Sequence, residues 1–169
     1  MSGIVGRGSG LWGKSGLVTE EFRNPDQPSF RAARDSNYSH TAEDRIVYNT
    51  AGGGYRFNIG GHFNTSTGQF TAPITGCYLI NAQVIWMGIG NNTNMIDSIR
   101  LKISGTTMAY GNRRAFYTED STGDGGYFVE AINTIVRVSA NDTIEVLGQK
   151  TQQVHGNSEY TRFEGYLLG

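Results

Sequence analysis

The stretch Gly61–Met87, GHFNTSTGQFTAPITGCYLINAQVIWM, carries the longest period-two alternation in the chain. From its middle onward Tyr78, Ile80, Ala82, Val84 and Trp86 fall on one side, and Cys77, Leu79, Asn81, Gln83 and Ile85 on the other. Successive side chains of a strand point to opposite faces, so this reads as a long strand with one strongly apolar face. A turn-prone NTSTG run, a short extended QFTAP and a Thr75-Gly76 turn lead into it. The mixed second face predicts partial cover by another sheet edge or another subunit.

Working outward, 169 residues predict one domain plus an arm. The 24 glycines are about twice the average usage, but only 3 prolines accompany them and no G-X-Y period exists. That composition points to many short strands joined by tight turns. Aromatic residues make up 11% of the chain, too many for a disordered protein. Lys and Arg number 14 against 15 Asp and Glu, so no basic field exists to attract nucleic acid or an anionic membrane. No apolar run approaches the length that inserts into a membrane. Cys77 stands alone, which excludes an internal disulfide, and its strand setting predicts a small buried hydrophobe. The opening MSGIVGRGSG lacks the apolar segment of a secretion signal, so synthesis in the cytoplasm without export is expected. The Asn-x-Ser/Thr triplets at Asn37, Asn64, Asn91 and Asn141 are then read as chance.

Residues 1–28 are predicted to form a Gly-rich extended anchoring arm and linker. Ile4, Val5, Leu11, Trp12 and Leu17 are isolated apolar residues that a merely solvating tail would not need. Residues 29–169 are predicted to form one all-β domain. SFRAARD opens it as a strand, and SNYSHTAED follows as a loop. RIVYN and GYRFNIG are expected strands about the hinge Ala51-Gly52-Gly53-Gly54. MGIGNNTN is expected as a loop. SIRLKISG and TTMAYG form a hairpin, with Ile99, Leu101 and Ile103 inward. TEDSTGDGG is a polar loop. YFVEAINTIVRVS turns at Ala140-Asn141-Asp142 into TIEVLGQ, whose Ile144 and Val146 point to the core, and YTRFEGYLLG closes the domain. The succession, with no useful helical period, predicts a β-sandwich.

Several of these pieces resemble one family. Phe63 through Tyr78, F-N-x-S-T-G-x-F-T-A-P-x-x-G-x-Y, is similar to the signature of the C1q globular domain. Arg45–Asn49, Leu101–Gly105, Val136–Asp142 and Phe163–Leu167 resemble further elements of it in family order. The resemblance implies a ten-stranded jelly roll shared with tumour necrosis factor and, from it, a homotrimer. Asn141 stands where the family usually has Gly, a swap that left-handed backbone geometry tolerates. A short Gly-rich arm before a lone domain of this kind resembles small structural proteins of tailed phages.

Catalytic chemistry is not legible. His40, His62 and His155 form no metal-binding spacing, and neither a nucleophile elbow nor a P-loop occurs. No cofactor is expected, and an enzyme is not. The glycine runs at Gly52–Gly54 and Gly123–Gly126 open no helix and serve as turns. Glu119, Asp120 and Asp124 offer oxygen ligands for calcium in one loop, but their spacing fits no EF-hand frame, which favours a solvated acidic loop. Tyr55, Phe57 and Phe63 are divided between core and trimer interface, and Leu79 and Ile85 join them as interface candidates. The expectation is a non-enzymatic virion protein, a capsid decoration or tail-associated trimer whose arm grips a major capsid or tail protein. The alternative is a recognition module that binds host glycan or protein through the loops 88–94 and 119–126.

Overall fold

A computed structural model describes residues 27–89, 98–111, 126–157 and 160–168. Twelve strands form two antiparallel sheets. One sheet runs in the order β2 (Tyr38–His40), β11 (Gln152–Val154), β6 (Gly76–Ile89), β12 (Arg162–Leu167), β1 (Ser29–Ala33), β3 (Phe57–Ile59). On its other edge β6 pairs with β9 (Gly126–Val138). The second sheet runs β4 (Phe63–Asn64), β5 (Gln69–Thr71), β10 (Thr143–Gly148), β7 (Ile99–Ile103), β8 (Thr106–Tyr110).

The expected alternation of β6 holds. Tyr78, Ile80, Val84 and Trp86 are fully buried and Ala82 nearly so, all inside the sandwich. Their neighbours Ile99, Leu101, Ile144 and Val146 face them from the other sheet and are also fully buried. Each large side chain removed from water in this way contributes about 1.5–3 kcal/mol.

Phe30 on β1 is the hub of the aromatic core. Its ring stacks on Phe63 at 4.8 Å and on Phe70 at 4.7 Å, and meets Phe163 edge-on at 4.9 Å. Two glycines permit close approaches in and around this core. Gly165 lies directly opposite Phe30 on the β1–β12 ladder, and a Cβ there would run into the Phe30 ring. Gly68 has φ +69°, and a Cβ there would collide with the carbonyl oxygen of Ile46.

The Ala140–Asp142 turn is built as expected, with Asn141 at φ 71°. Asn141 N–H donates to Ala72 O, and the Asp142 carboxylate accepts from Ser139 N–H and from the Ser104 hydroxyl. These two bonds, the backbone one foremost, hold the Asp142 carboxyl below the usual carboxylate range.

Four expectations need correction. RIVYN is not a strand. Ile46 and Tyr48 do point into the core, but only Arg45 bridges to Leu147, because the rest of that edge of β10 is paired with β5. SNYSHTAED is not all loop, since Tyr38–His40 pairs with β11, a strand the alternation of TQQVH was too short to announce. Met87–Ile89 continues β6 rather than opening a loop. Among the described residues the count is twelve strands, several of two or three residues, where ten were expected.

At the β2–β11 corner the imidazole of His40 is buried against Trp86, ring centres 5.6 Å apart. His40 Nε2 lies 3.3 Å from Gly148 O and Nδ1 lies 3.3 Å from the Tyr38 hydroxyl. With Nε2–H donating to the carbonyl and Tyr38 O–H donating to Nδ1, the neutral ring is satisfied on both sides. Burial lowers the His40 pKa and pushes the Tyr38 hydroxyl up to about 12.

Candidate assembly face

The outward side chains of β3, β1, β12, β6 and β9 lie in rungs across the larger sheet, fixed by strand register. One rung is Ile59, Ser29, Tyr166, Leu79 and Ile135. The next is Phe57, Arg31, Glu164, Asn81 and Asn133. Arg162, Gln83 and Ala131 follow, then Ile85 and Val129. Cys77 and Arg137 stand opposite each other at the far end.

Much of this face is apolar and open. Ile135 is 61% exposed, Val129 50%, Tyr166 46% and Phe57 41%. Singly exposed apolar residues are ordinary, whereas several exposed together on one sheet face mark an interaction surface. A cavity of about 290 Å³ opens among Phe57, Leu79, Tyr166, Arg31 and Glu164. At its side Glu164 Oε1 is shared by two guanidiniums, Arg31 Nε at 3.1 Å and Arg162 Nε at 3.2 Å.

The sequence-predicted interface residues divide here. Phe57, Leu79 and Ile85 lie on the outer face, Ile85 largely covered. Phe63 does not belong with them. It is 3% exposed and stacked on Phe30, so it is core. Tyr55 is exposed in the turn before β3 and joins no rung. Cys77 is half-buried on the outer face, not enclosed as its strand setting predicted. The arm residues Ile4, Val5, Leu11, Trp12 and Leu17 and the acidic Glu119, Asp120 and Asp124 lie outside the described residues, as does most of 88–94. Among the described residues no group of His, Cys, Asp and Glu is placed to hold a metal ion.

Sequence reasoning missed Tyr166, Val129 and Ile135 as members of the face. Glu130 was missed as well. It points inward from β9, fully buried, and its carboxylate fills the space that a Cβ on Gly111 would take.

The family model for the C1q domain matches residues 29–168. The chain belongs to the C1q domain family. No curated protein matches it. Among solved structures, the globular domain of zebrafish complement 1qA protein is similar with a TM-score of 0.59 and 12% identity, over 85% of this chain and 98% of that one. The Eiger TNF from S. frugiperda is similar with a TM-score of 0.61 and 10% identity, over 85% of this chain and 94% of that one. At such identities the likeness is one of fold. The family motif nonetheless acquires physical content here: the glycine in Phe163–Leu167 is the one beneath Phe30, and the glycine after Ser66-Thr67 is the one against Ile46 O.

Proposed function

We propose that this C1q-domain protein is non-enzymatic and closes into a homotrimer through the outer face of its larger sheet. Residues 1–28 would then fasten the trimer to a major capsid or tail protein of a virion. The observation that carries the self-association is the exposure of Phe57, Tyr166, Ile135 and Val129 together on one face of one sheet. Five strands at about 4.8 Å spacing, with rungs about 6.8 Å apart, frame roughly 600 Å² of flat area, of the order of the ~800 Å² per partner in a stable interface. Domains of the C1q and TNF kind typically close as homotrimers, which supports a threefold arrangement. Support for the anchor lies in the sequence: apolar residues scattered in a Gly-rich segment suit extended docking, and three linked arms turn weak contacts into avidity.

Light scattering after size exclusion tests the first step. The expected result is a trimer for the natural chain and a folded monomer for Ile135→Asp combined with Val129→Asp. A natural chain that is monomeric at micromolar concentration would sink the reading. Deleting residues 1–25 tests the second step, with the trimer and its melting retained and binding to the particle lost.

A recognition role through 88–94 and 119–126 has one observation in its favour. Tyr127 and Tyr160, 58% and 45% exposed, flank His155 at ring distances of 5.6 and 5.9 Å, at the end of the sheet where β6 and β9 adjoin those loops. A glycan array showing nothing above background would count against it.

A further inference from the structure

The outer face is not uniformly apolar, and the interruption is ordered. Leu79 pairs with Ile135 on one side of it and Ile85 with Val129 on the other. Between them Asn81 stands directly opposite Asn133, and the same rung continues through Glu164 and Arg31. Gln83 lies one rung further on, its amide already donating to Tyr160 O at 2.8 Å. Glu164 is likewise compensated inside its own copy by Arg31 and Arg162. The two asparagine amides differ: among the described residues neither side chain has a hydrogen-bond partner, and Asn133 is exposed.

We infer that the Asn81–Asn133 rung sets the height at which copies of this chain pack against one another, and so selects a closed ring over a slipped, open-ended stack. The inference rests on the proposed self-association through this face. Rotation about a symmetry axis preserves height, so in a closed ring whose axis runs along the strands of this sheet a rung meets the same rung of its neighbour. Amide then meets amide, and each carbonyl oxygen and NH₂ finds a complement. A contact slipped by one rung sets the amides of one copy against Leu79 and Ile135 of the other, a contact slipped by two sets them against Ile85 and Val129, and either slip buries amides unpaired. That penalty exceeds what a paired hydrogen bond gains. The apolar rungs cannot make this distinction, because apolar contact is non-directional and Leu79–Ile135 packs about as well against Ile85–Val129 as against itself. A contact that does not close propagates as a filament. A single buried Asn in the apolar seam of a coiled coil fixes register and strand number by the same physics.

The test compares mass distributions by native mass spectrometry and light scattering across a hundredfold range of concentration. The natural chain should give one discrete closed species. Asn81→Leu with Asn133→Leu should give a mixture whose mean mass grows with concentration, with association at least tenfold tighter. Lys102→Leu, which adds an apolar side chain to the outside of the other sheet, should leave the single species intact. If the natural chain is monomeric, the proposed assembly and this inference both fall. A discrete natural species with a double variant of the same discrete mass overturns the register role alone, and a double variant reduced to monomer does so too. Should the double variant lose its β-sheet circular dichroism, Asn133→Leu alone, on the exposed side of the ladder, carries the same comparison.

Discussion

Phe30 and Gly165 stand directly opposite each other on the β1–β12 ladder, and the absent side chain of the second is the space occupied by the ring of the first. Gly165→Ala therefore forces the Phe30 ring away from Phe63 and Phe70. The expected cost is about 1–3 kcal/mol, as for other overpacked cores. Urea unfolding checks it, and Phe30→Leu in the same chain should recover part of the loss, giving a non-additive pair.

Two phenylalanines six residues apart should respond in opposite ways. Phe63→Ala removes a buried ring from the stack on Phe30 and should cost about 3–5 kcal/mol of folding stability. Phe57→Ala, on the open face, should change unfolding of the monomer by no more than about 0.5 kcal/mol. Its effect should instead appear as weakened self-association in sedimentation equilibrium. Equal losses of folding stability for the two variants would contradict this division.

Stability should fall on mild acidification, and His40 should be one cause. Burial lowers its folded-state pKa, so the unfolded chain, where histidine titrates near 6.5, takes up the proton first. The neutral ring's contribution is intact above about pH 6.5 and is lost as pH falls from there toward the lowered folded value. In His40→Gln the slope of unfolding free energy over that interval should flatten. A slope unchanged by the substitution would place the proton uptake elsewhere.

Asn141 holds φ 71° in the turn before Asp142. Asn141→Gly should be neutral or slightly stabilising, because glycine takes that backbone without strain. Asn141→Ala should cost about 1–2 kcal/mol. Paired thermal melts of the two variants separate backbone strain from loss of the side chain.

What was legible in the sequence follows from how much each residue's fate depends on near neighbours. Tyr78–Trp86 alternates over nine residues, and its inward and outward sets came out as read because both faces are decided by period alone. Ile46 and Tyr48 alternate just as well and are just as buried, but a strand needs a partner along its length, and beyond Val146 that edge of β10 is already paired with β5 through Thr143–Glu145. Tyr38–His40 and Gln152–Val154 are three residues each and largely polar, below what any periodicity can register. Phe57 and Phe63 are separated by the Gly60-Gly61 turn, with both glycines at positive φ, which resets the direction of the chain. No local rule carries facing information across such a turn. Tyr166 and Ile135 alternate correctly within their own strands; that they share a rung with Leu79 is a fact of register between segments far apart in sequence.

The chain enters and leaves the domain at one place. Leu167 N–H donates to Pro28 O, the Gln27 side chain reaches Leu167 O, and Leu168 N–H donates to Cys77 O at the start of β6. Tyr127, His155 and Tyr160 sit toward the other end of that strand, where His155 N–H donates to Ile85 O, roughly 26 Å from Cys77 at about 3.3 Å per residue. The domain therefore has two poles with separate duties available to them. Cargo or tethers fused before residue 28 or after residue 168 would project from the same pole, and the opposite one would stay unobstructed whichever end of the chain carried them.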